Sequence, residues 1–303
     1  MIDWKELSKK LRQAVPALTI LEEEPLSRHT SFRIGGPAAL FVKPADEDQL
    51  AQVLRFAASH DITPRMLGAG TNVLAPDEGL RALVVCTKDA LLGLSDLGDG
   101  MIEAYAGETL SKTAVFAKNL GLTGLEFAHG IPGTVGGGIY MNAGAYGGEM
   151  KQVSVQTTVL TMDGEEKTVS GEAQGFAYRT SAFEKMDAII VKTRLQLAPG
   201  DKTEISAKMQ ELIEKRRASQ PLEFPSAGST FKRPEGAFAG ALIQEAGLKG
   251  TRVGGAQVSE KHAGFVVNTA DATADDVKKL IALVQKRVFE MSGFTLQPEV
   301  RIW

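Results

Sequence analysis

Residues 130–138 read Gly130-Ile131-Pro132-Gly133-Thr134-Val135-Gly136-Gly137-Gly138, and three residues later comes Asn142-Ala143-Gly144-Ala145-Tyr146-Gly147-Gly148. Glycine at this density lets the backbone approach a ligand closely and lets successive N–H groups converge on an anion. The same residues also suit a tight turn packed against a helix. From Phe127 to Gly148, eight of 22 residues are glycine, so this longest uncharged stretch reads as loops and not as a membrane-crossing helix. A second cluster, Leu67-Gly68-Ala69-Gly70-Thr71-Asn72-Val73-Leu74, starts like a dinucleotide fingerprint but has Val73 where the third glycine belongs. No P-loop sequence occurs. Two such clusters about 60 residues apart, each flanked by apolar segments, point to a dinucleotide held by backbone from two loops.

Around these clusters, helical and strand patterns alternate. Asp46–Ser59 reads as a helix with Leu50, Val53, Leu54 and Ala57 on one face, and Thr109–Leu120 as another, closed by Gly121. Ala82–Cys86, Val153–Met162 (followed by the hairpin signal Asp163-Gly164) and Ala188–Leu197 read as strands. After Pro199-Gly200-Asp201 the composition shifts to a charged helix, Thr203–Ser219, and then to a Pro/Gly/Ser-rich stretch. A short helix over 240–246 ends at Gly247, and a long one over Ala274–Ser292 has Thr273 as N-cap and Gly293 after its end. Pro298–Trp303 reads as a closing strand, with Glu299, Arg301 and Trp303 on one face and Val300 and Ile302 on the other.

The 303 residues suit two domains, and 32 glycines are the only compositional outlier. A net charge of -3 without basic runs gives no nucleic-acid footprint. One cysteine, Cys86, excludes an intrachain disulfide and any multi-cysteine zinc site, and no His/Asp/Glu spacing suits a metal. The N-terminus, with Trp4, Leu7 and Leu11 set against Lys5, Glu6, Lys9 and Lys10, is amphipathic and lacks a signal peptide's apolar run. A reduced, cytoplasmic protein without a membrane anchor is expected.

Individual polar residues are ambiguous on spacing alone. Ser229, in Pro225-Ser226-Ala227-Gly228-Ser229-Thr230-Phe231-Lys232-Arg233-Pro234, fits a hydroxyl capping a turn, since no nucleophile elbow surrounds it. Glu299 and Arg301 fit a surface ion pair, and His262 fits a satisfied turn histidine.

Taken together, the segments resemble one family. His29-Thr30-Ser31-Phe32-Arg33-Ile34-Gly35-Gly36, Gly68–Leu74, Gly130–Gly148, Tyr178-Arg179, Ser226–Pro234, Gln257–Asn268 and Pro298-Glu299-Val300-Arg301 run in the order of the UDP-N-acetylenolpyruvoylglucosamine reductase (MurB) family. The chain is similar to the shorter of that family's two groups. The resemblance implies an α+β architecture: a vanillyl-alcohol-oxidase/PCMH-type two-part FAD-binding fold over residues 1–200 (subdomains about 20–88 and 89–200, after an N-terminal helix), then a C-terminal α/β substrate-binding domain over 201–303. It implies non-covalent FAD held by Gly68, Gly70, Thr71, Asn72, Ile131, Pro132, Gly133, Thr134, Gly136, Gly137, Ala143 and Gly144.

Arg179, Ser229 and Glu299 match the family's catalytic positions, which displaces the bland readings of Ser229 and Glu299. The implied reaction passes hydride from NADPH to flavin N5 and from N5 to C3 of UDP-N-acetylglucosamine enolpyruvate, with a proton from Ser229 to C2, giving UDP-N-acetylmuramate for peptidoglycan. Arg179 and a protonated Glu299 would stabilise the enolate-like charge. A neutral glutamic acid at pH 7 requires a raised pKa, so Glu299 is expected to be buried or close to another acceptor. Tyr146, Tyr178, Lys232, Arg233, His262 and Arg301 match substrate or NADPH contacts. Ser219 departs from the lysine common among relatives. The implied partners are small molecules only, with the chain a monomer. Two other readings are a different flavin oxidase of the same fold, which leaves Ser229 and Glu299 unexplained, and a non-catalytic nucleotide-binding scaffold, which predicts loss of a catalytic residue.

Overall fold

The spacing of Trp4, Leu7 and Leu11 along α1 (Trp4–Ala14) buries one face of that helix, and Asp3 caps it by accepting the Lys5 and Glu6 N–H groups. This is the first element of a computed structural model that describes residues 2–303. Two compact units make up the chain: Met1–Glu23, Ala39–Ala69 and Arg81–Lys215 in one, Glu24–Ala38, Gly70–Leu80 and Arg216–Trp303 in the other. The second unit thus gathers segments that a boundary at 199–201 leaves in separate halves.

The first unit holds two cores. One lies beneath α1 and α2 (Glu47–Ser59), whose apolar positions Leu50, Val53, Leu54 and Ala57 are all buried as their helical spacing requires. Its four-stranded sheet runs in the order Thr19–Pro25, Pro37–Lys43, Leu80–Cys86, Arg65–Leu67, with the last two strands parallel. Cys86 is buried at its strand's end, and burial pushes the thiol pKa up.

The other core is covered by α3 (Leu110–Leu120) and the short α4 (Val135–Tyr140). Here the sheet is antiparallel throughout: Glu166–Ser170, Ser154–Thr161, Ala188–Gln196, Met101–Tyr105, Leu94–Gly98. Asp163-Gly164 closes its hairpin, and Gly121 ends α3 at φ 75°, where glycine avoids the Cβ penalty. The charged helix α5 (Lys202–Ser219) buries Ile205, Met209 and Leu212.

The second unit is built on an antiparallel sheet of Ser226–Ser229, Phe265–Asn268, Ala256–Val258 and Arg252–Val253. It packs with α6 (Ala239–Glu245) and α7 (Ala274–Ser292) around one core. Val277, Leu280, Ile281, Val284 and Val288 recur at helical spacing along α7 and are buried, each worth about 1.5–3 kcal/mol. Thr273 and Asp276 form a reciprocal capping box at its start, and Gly293 stops it at φ 74°. The closing strand is shorter than its pattern predicts. Only Arg301–Ile302 forms a ladder, parallel to Val73–Leu74. Val300 is buried but Ile302 is 46% exposed, because the backbone leaves one partner for another between Glu299 and Arg301 and the alternation does not carry through.

Asp77, from the loop that leads out of Val73–Leu74, accepts the Ala274 N–H at 2.7 Å and the Asp275 N–H at 3.2 Å. It therefore ties the Thr71–Asn72 segment to the start of α7. Asp77→Ala is expected to cost about 1–2 kcal/mol of the second unit's stability in urea unfolding, with Asp77→Asn recovering part of it.

Candidate active site

In the first unit Gly68 packs against Thr134 of the longer glycine-rich stretch. A Cβ on Gly68 would lie 2.6 Å from Thr134 Oγ1, and one on Gly136 would lie 2.8 Å from the Ala106 Cβ. These two glycines are therefore needed for packing. Thr134 caps α4, its hydroxyl accepting the Gly137 N–H at 3.3 Å. The other donors of that first turn are also taken, Val135 N–H by Glu108 O at 2.7 Å and Gly136 N–H by Ala106 O at 3.0 Å. Among the described residues, the N–H groups of Gly133 and Thr134 make no hydrogen bond, although Thr134 is 1% exposed. Two adjacent, partly buried donors without acceptors are what an anionic pyrophosphate requires, so this loop fits the implied FAD. Ile131, Pro132 and Gly133 lead into it, with Pro132 exposed.

Asn142–Gly148 adds a second wall. Gly148 presses on the Phe127 ring, where a Cβ would approach to 2.5 Å, and Tyr146 stands 48% exposed at φ 54°. The Arg179 guanidinium donates from Nη2 to the Gly144 carbonyl at 2.9 Å and lies 5.2 Å from the Tyr178 ring. Arg179 occupies the third position of a four-residue turn, Ala177–Thr180, at φ 56°. Glycine or asparagine is usual there, and an arginine costs about 1–3 kcal/mol of local strain. Strain held at a residue whose side chain reaches a glycine-rich loop points to function.

In the second unit the residues that the sequence singled out are brought together by main-chain bonds. The Glu299 N–H donates to Thr230 O at 2.8 Å, which sets the Ser229 strand beside the end of the chain. The Asn72 side-chain amide donates to Glu299 O at 3.1 Å, and the Arg301 N–H donates to Asn72 O at 2.9 Å. Ser229 is exposed, Glu299 half-buried, and Thr230 buried between them. The strand Ser226–Ser229 pairs irregularly, with Gly228 at φ 74° just before Ser229. Lys232 N–H donates to Gln297 O at 2.8 Å, and Arg233 stacks 4.2 Å over the Phe238 ring. Gly70, at φ 62°, passes so close to His29 O that a Cβ would lie 2.1 Å from it. His262 accepts the Gly264 N–H on Nδ1 at 3.1 Å and meets Phe265 edge-on. Burial holds its imidazole below the usual value, and Lys249 adds to that.

The model of the UDP-N-acetylenolpyruvoylglucosamine reductase C-terminal domain matches residues 220–303, and that of an FAD binding domain matches residues 38–170. A UDP-N-acetylenolpyruvoylglucosamine reductase of Agathobacter rectalis is 46% identical over 97% of this chain and 97% of its own length. The chain belongs to the UDP-N-acetylenolpyruvoylglucosamine reductase family. An Exiguobacterium sibiricum reductase is 46% identical over 98% of this chain and 97% of its own length. The crystal structure of the MurB reductase from Thermus caldophilus superimposes with a TM-score of 0.79 at 34% identity, covering 94% of this chain and 98% of that one.

A berberine-bridge-like protein of Physcomitrella patens, 15% identical with a TM-score of 0.50 over 64% of this chain and 44% of its own, shares the fold. The family's α+β architecture with its PCMH-type FAD-binding region is therefore that of this chain, an FAD flavoprotein and oxidoreductase. Among the described residues no helix is long and apolar enough to cross a membrane, and no group of three or more His, Cys, Asp or Glu could hold a metal ion.

Gly136→Ala is expected to destabilise the first unit by about 1–3 kcal/mol in thermal unfolding, through overpacking against Ala106. Gly137→Ala, whose Cβ would meet only Thr134 Oγ1 at 3.5 Å, is expected to leave stability unchanged or slightly raised. Because the folded chain holds His262 below its ordinary pKa of 6.5, the unfolded chain takes up the proton first, and this contribution to stability is lost as pH falls through and below 6.5. His262→Gln is expected to shrink the drop in urea midpoint between pH 7.5 and pH 5.5.

Proposed function

We propose that this protein reduces UDP-N-acetylglucosamine enolpyruvate to UDP-N-acetylmuramate with NADPH, supplying a precursor of peptidoglycan. The observation that carries this reading is the Thr230–Glu299 backbone bond, which sets the Ser229 and Glu299 segments side by side in a chain 46% identical to reductases of that name. On this reading the enzyme works as a cytoplasmic monomer, residues 1–200 chiefly holding the cofactor and 201–303 taking the substrate.

FAD, when bound, would supply the two-electron relay between NADPH and C3 of the enolpyruvyl group. The residues that would hold it are Gly68, Gly70, Thr71, Asn72, Ile131, Pro132, Gly133, Thr134, Gly136, Gly137, Ala143 and Gly144, with the Gly133 and Thr134 N–H groups as the donors to phosphate. Arg179 is a fixed cation for the charge that builds on the enolpyruvyl carboxylate. Its turn is set before substrate arrives, so no reorganisation is needed at the moment of reaction. Glu299 offers a hydrogen bond to the same charge. One such donor is commonly worth about 3 kcal/mol.

Ser229 delivers the proton to C2. Its exposed hydroxyl can meet a ligand directly, while buried Thr230 holds the strand through Val266 N–H to its Oγ1 at 2.9 Å and its own N–H to Gly264 O at 2.8 Å. Tyr146, Tyr178, Lys232, Arg233, His262 and Arg301 line the approach of substrate or NADPH. Tyr146 and Tyr178 are both about half-exposed, which suits stacking on a ring.

Ser229→Ala tests the assignment. Under anaerobic conditions NADPH is expected to discharge the variant's yellow colour, while the return of colour on adding the enolpyruvyl substrate slows by about 10²–10⁴-fold. A return at the wild-type rate contradicts the proton-donor role.

A further inference from the structure

The Arg179 turn is weakly closed by its own bonds: Ala177 N–H to Thr180 O at 3.1 Å and Thr180 N–H to Ala177 O at 3.3 Å. A second bond to the Ala177 carbonyl comes from outside the turn, from Asn142 Nδ2 at 3.0 Å. Asn142 is 0% exposed and spends its whole side chain on such bonds. Nδ2 also donates to Glu149 Oε2 at 3.0 Å, and Oδ1 accepts the Lys151 N–H at 2.9 Å. Two residues further on, the Gly144 carbonyl accepts Arg179 Nη2. The bonds therefore form a circuit: Asn142 holds Ala177, and Arg179 from that turn reaches back to Gly144.

We propose that Asn142 is the positioning residue of Arg179, clamping the turn so that the guanidinium is aimed before substrate binds. The inference rests on Arg179 having the role given above. Asparagine suits this position on two counts. Its φ is 43°, a left-handed conformation that asparagine tolerates better than most residues. Its amide gives two donors and an acceptor, and three partners are present. Aspartate would lose both donors and face the Glu149 carboxylate, and glycine would keep the backbone while deleting the clamp.

Three variants test this: Asn142→Gly, Arg179→Ala and the pair combined. The rate measured is the substrate-driven return of colour in NADPH-treated, anaerobic enzyme, with amide hydrogen exchange over residues 176–181 of the resting protein followed in parallel. Asn142→Gly is expected to slow the return at least tenfold and to speed exchange across the turn. In the Arg179→Ala background it is expected to slow nothing further, because the clamp acts only through that side chain. Slowing that multiplies in the double variant would place the damage elsewhere and overturn the inference, as would wild-type exchange in Asn142→Gly.

If Arg179→Ala itself returns colour at the wild-type rate, the role of Arg179 is wrong, and exchange alone judges the clamp. Should Asn142→Gly fail to fold, Asn142→Asp carries the test. Measured against wild type at each pH, its defect is expected to ease as pH falls and a carboxyl regains a proton to donate. A defect that is the same at every pH contradicts the clamp.

Discussion

The hydrogen bond from Glu299 N–H to Thr230 O is the joint on which the chemistry proposed for the second unit depends. It takes two segments about 70 residues apart and makes them neighbours without using either of the side chains proposed to act. The last residues then continue onto a different partner, Arg301 N–H to Asn72 O and Trp303 N–H to Leu74 O. The end of the chain is thus a rail between the Ser229 strand and the Thr71–Asn72 loop. Asp77 fixes the far end of that loop to α7. Interrupting a buried main-chain bond strands two polar groups and costs about 1–3 kcal/mol. Here the loss would also separate Ser229 from Glu299.

The first unit meets a different demand of the proposed function, which is to present the Arg179 cation from a short turn. Its solution accepts backbone strain at Arg179, Asn142 and Tyr146, all with positive φ. Buried polar bonds lie beside Arg179 and Asn142. Just before the turn, buried Gln174 accepts hydrogen bonds on Oε1 from Ser154 and Thr157, both at 2.8 Å, and donates from Nε2 to Ser154 O at 3.1 Å. The turn is therefore pinned on its near side by Gln174 and by Asn142 at Ala177. A rigid frame of this kind is what preorganised electrostatic catalysis asks of a scaffold.

Much of the fold was legible because local rules and tertiary packing agree. Thr273, Asp276 and Gly293 bound α7 by capping chemistry alone, and Leu50, Val53, Leu54 and Ala57 mark the buried face of α2 by period alone. The closing strand failed this test, since its alternation is broken by a change of partner between Glu299 and Arg301. The return of 24–38 and 70–80 to the second unit was not legible, because nothing local in those segments records which distant strand they will join. The site was legible unevenly. Glycine density located the loops, yet Gly68 and Gly136 prove to be demanded by close packing against Thr134 and Ala106. Ser229 and Glu299 looked like a turn hydroxyl and half of an ion pair until the order of motifs supplied a family. Asn142 stood in the sequence only as the start of a glycine-rich run, because its bonds reach Ala177, 35 residues away.

Two linked half-reactions are proposed for this chain, with NADPH as reductant and an enolpyruvyl sugar nucleotide as oxidant. The most direct test is the visible spectrum of the purified protein under anaerobic conditions, recorded as isolated, after NADPH, and after UDP-N-acetylglucosamine enolpyruvate. A yellow protein that bleaches with NADPH and regains its colour with the enolpyruvyl substrate is expected. Colour that returns with oxygen but not with that substrate would contradict it, as would a colourless protein that FAD cannot reconstitute.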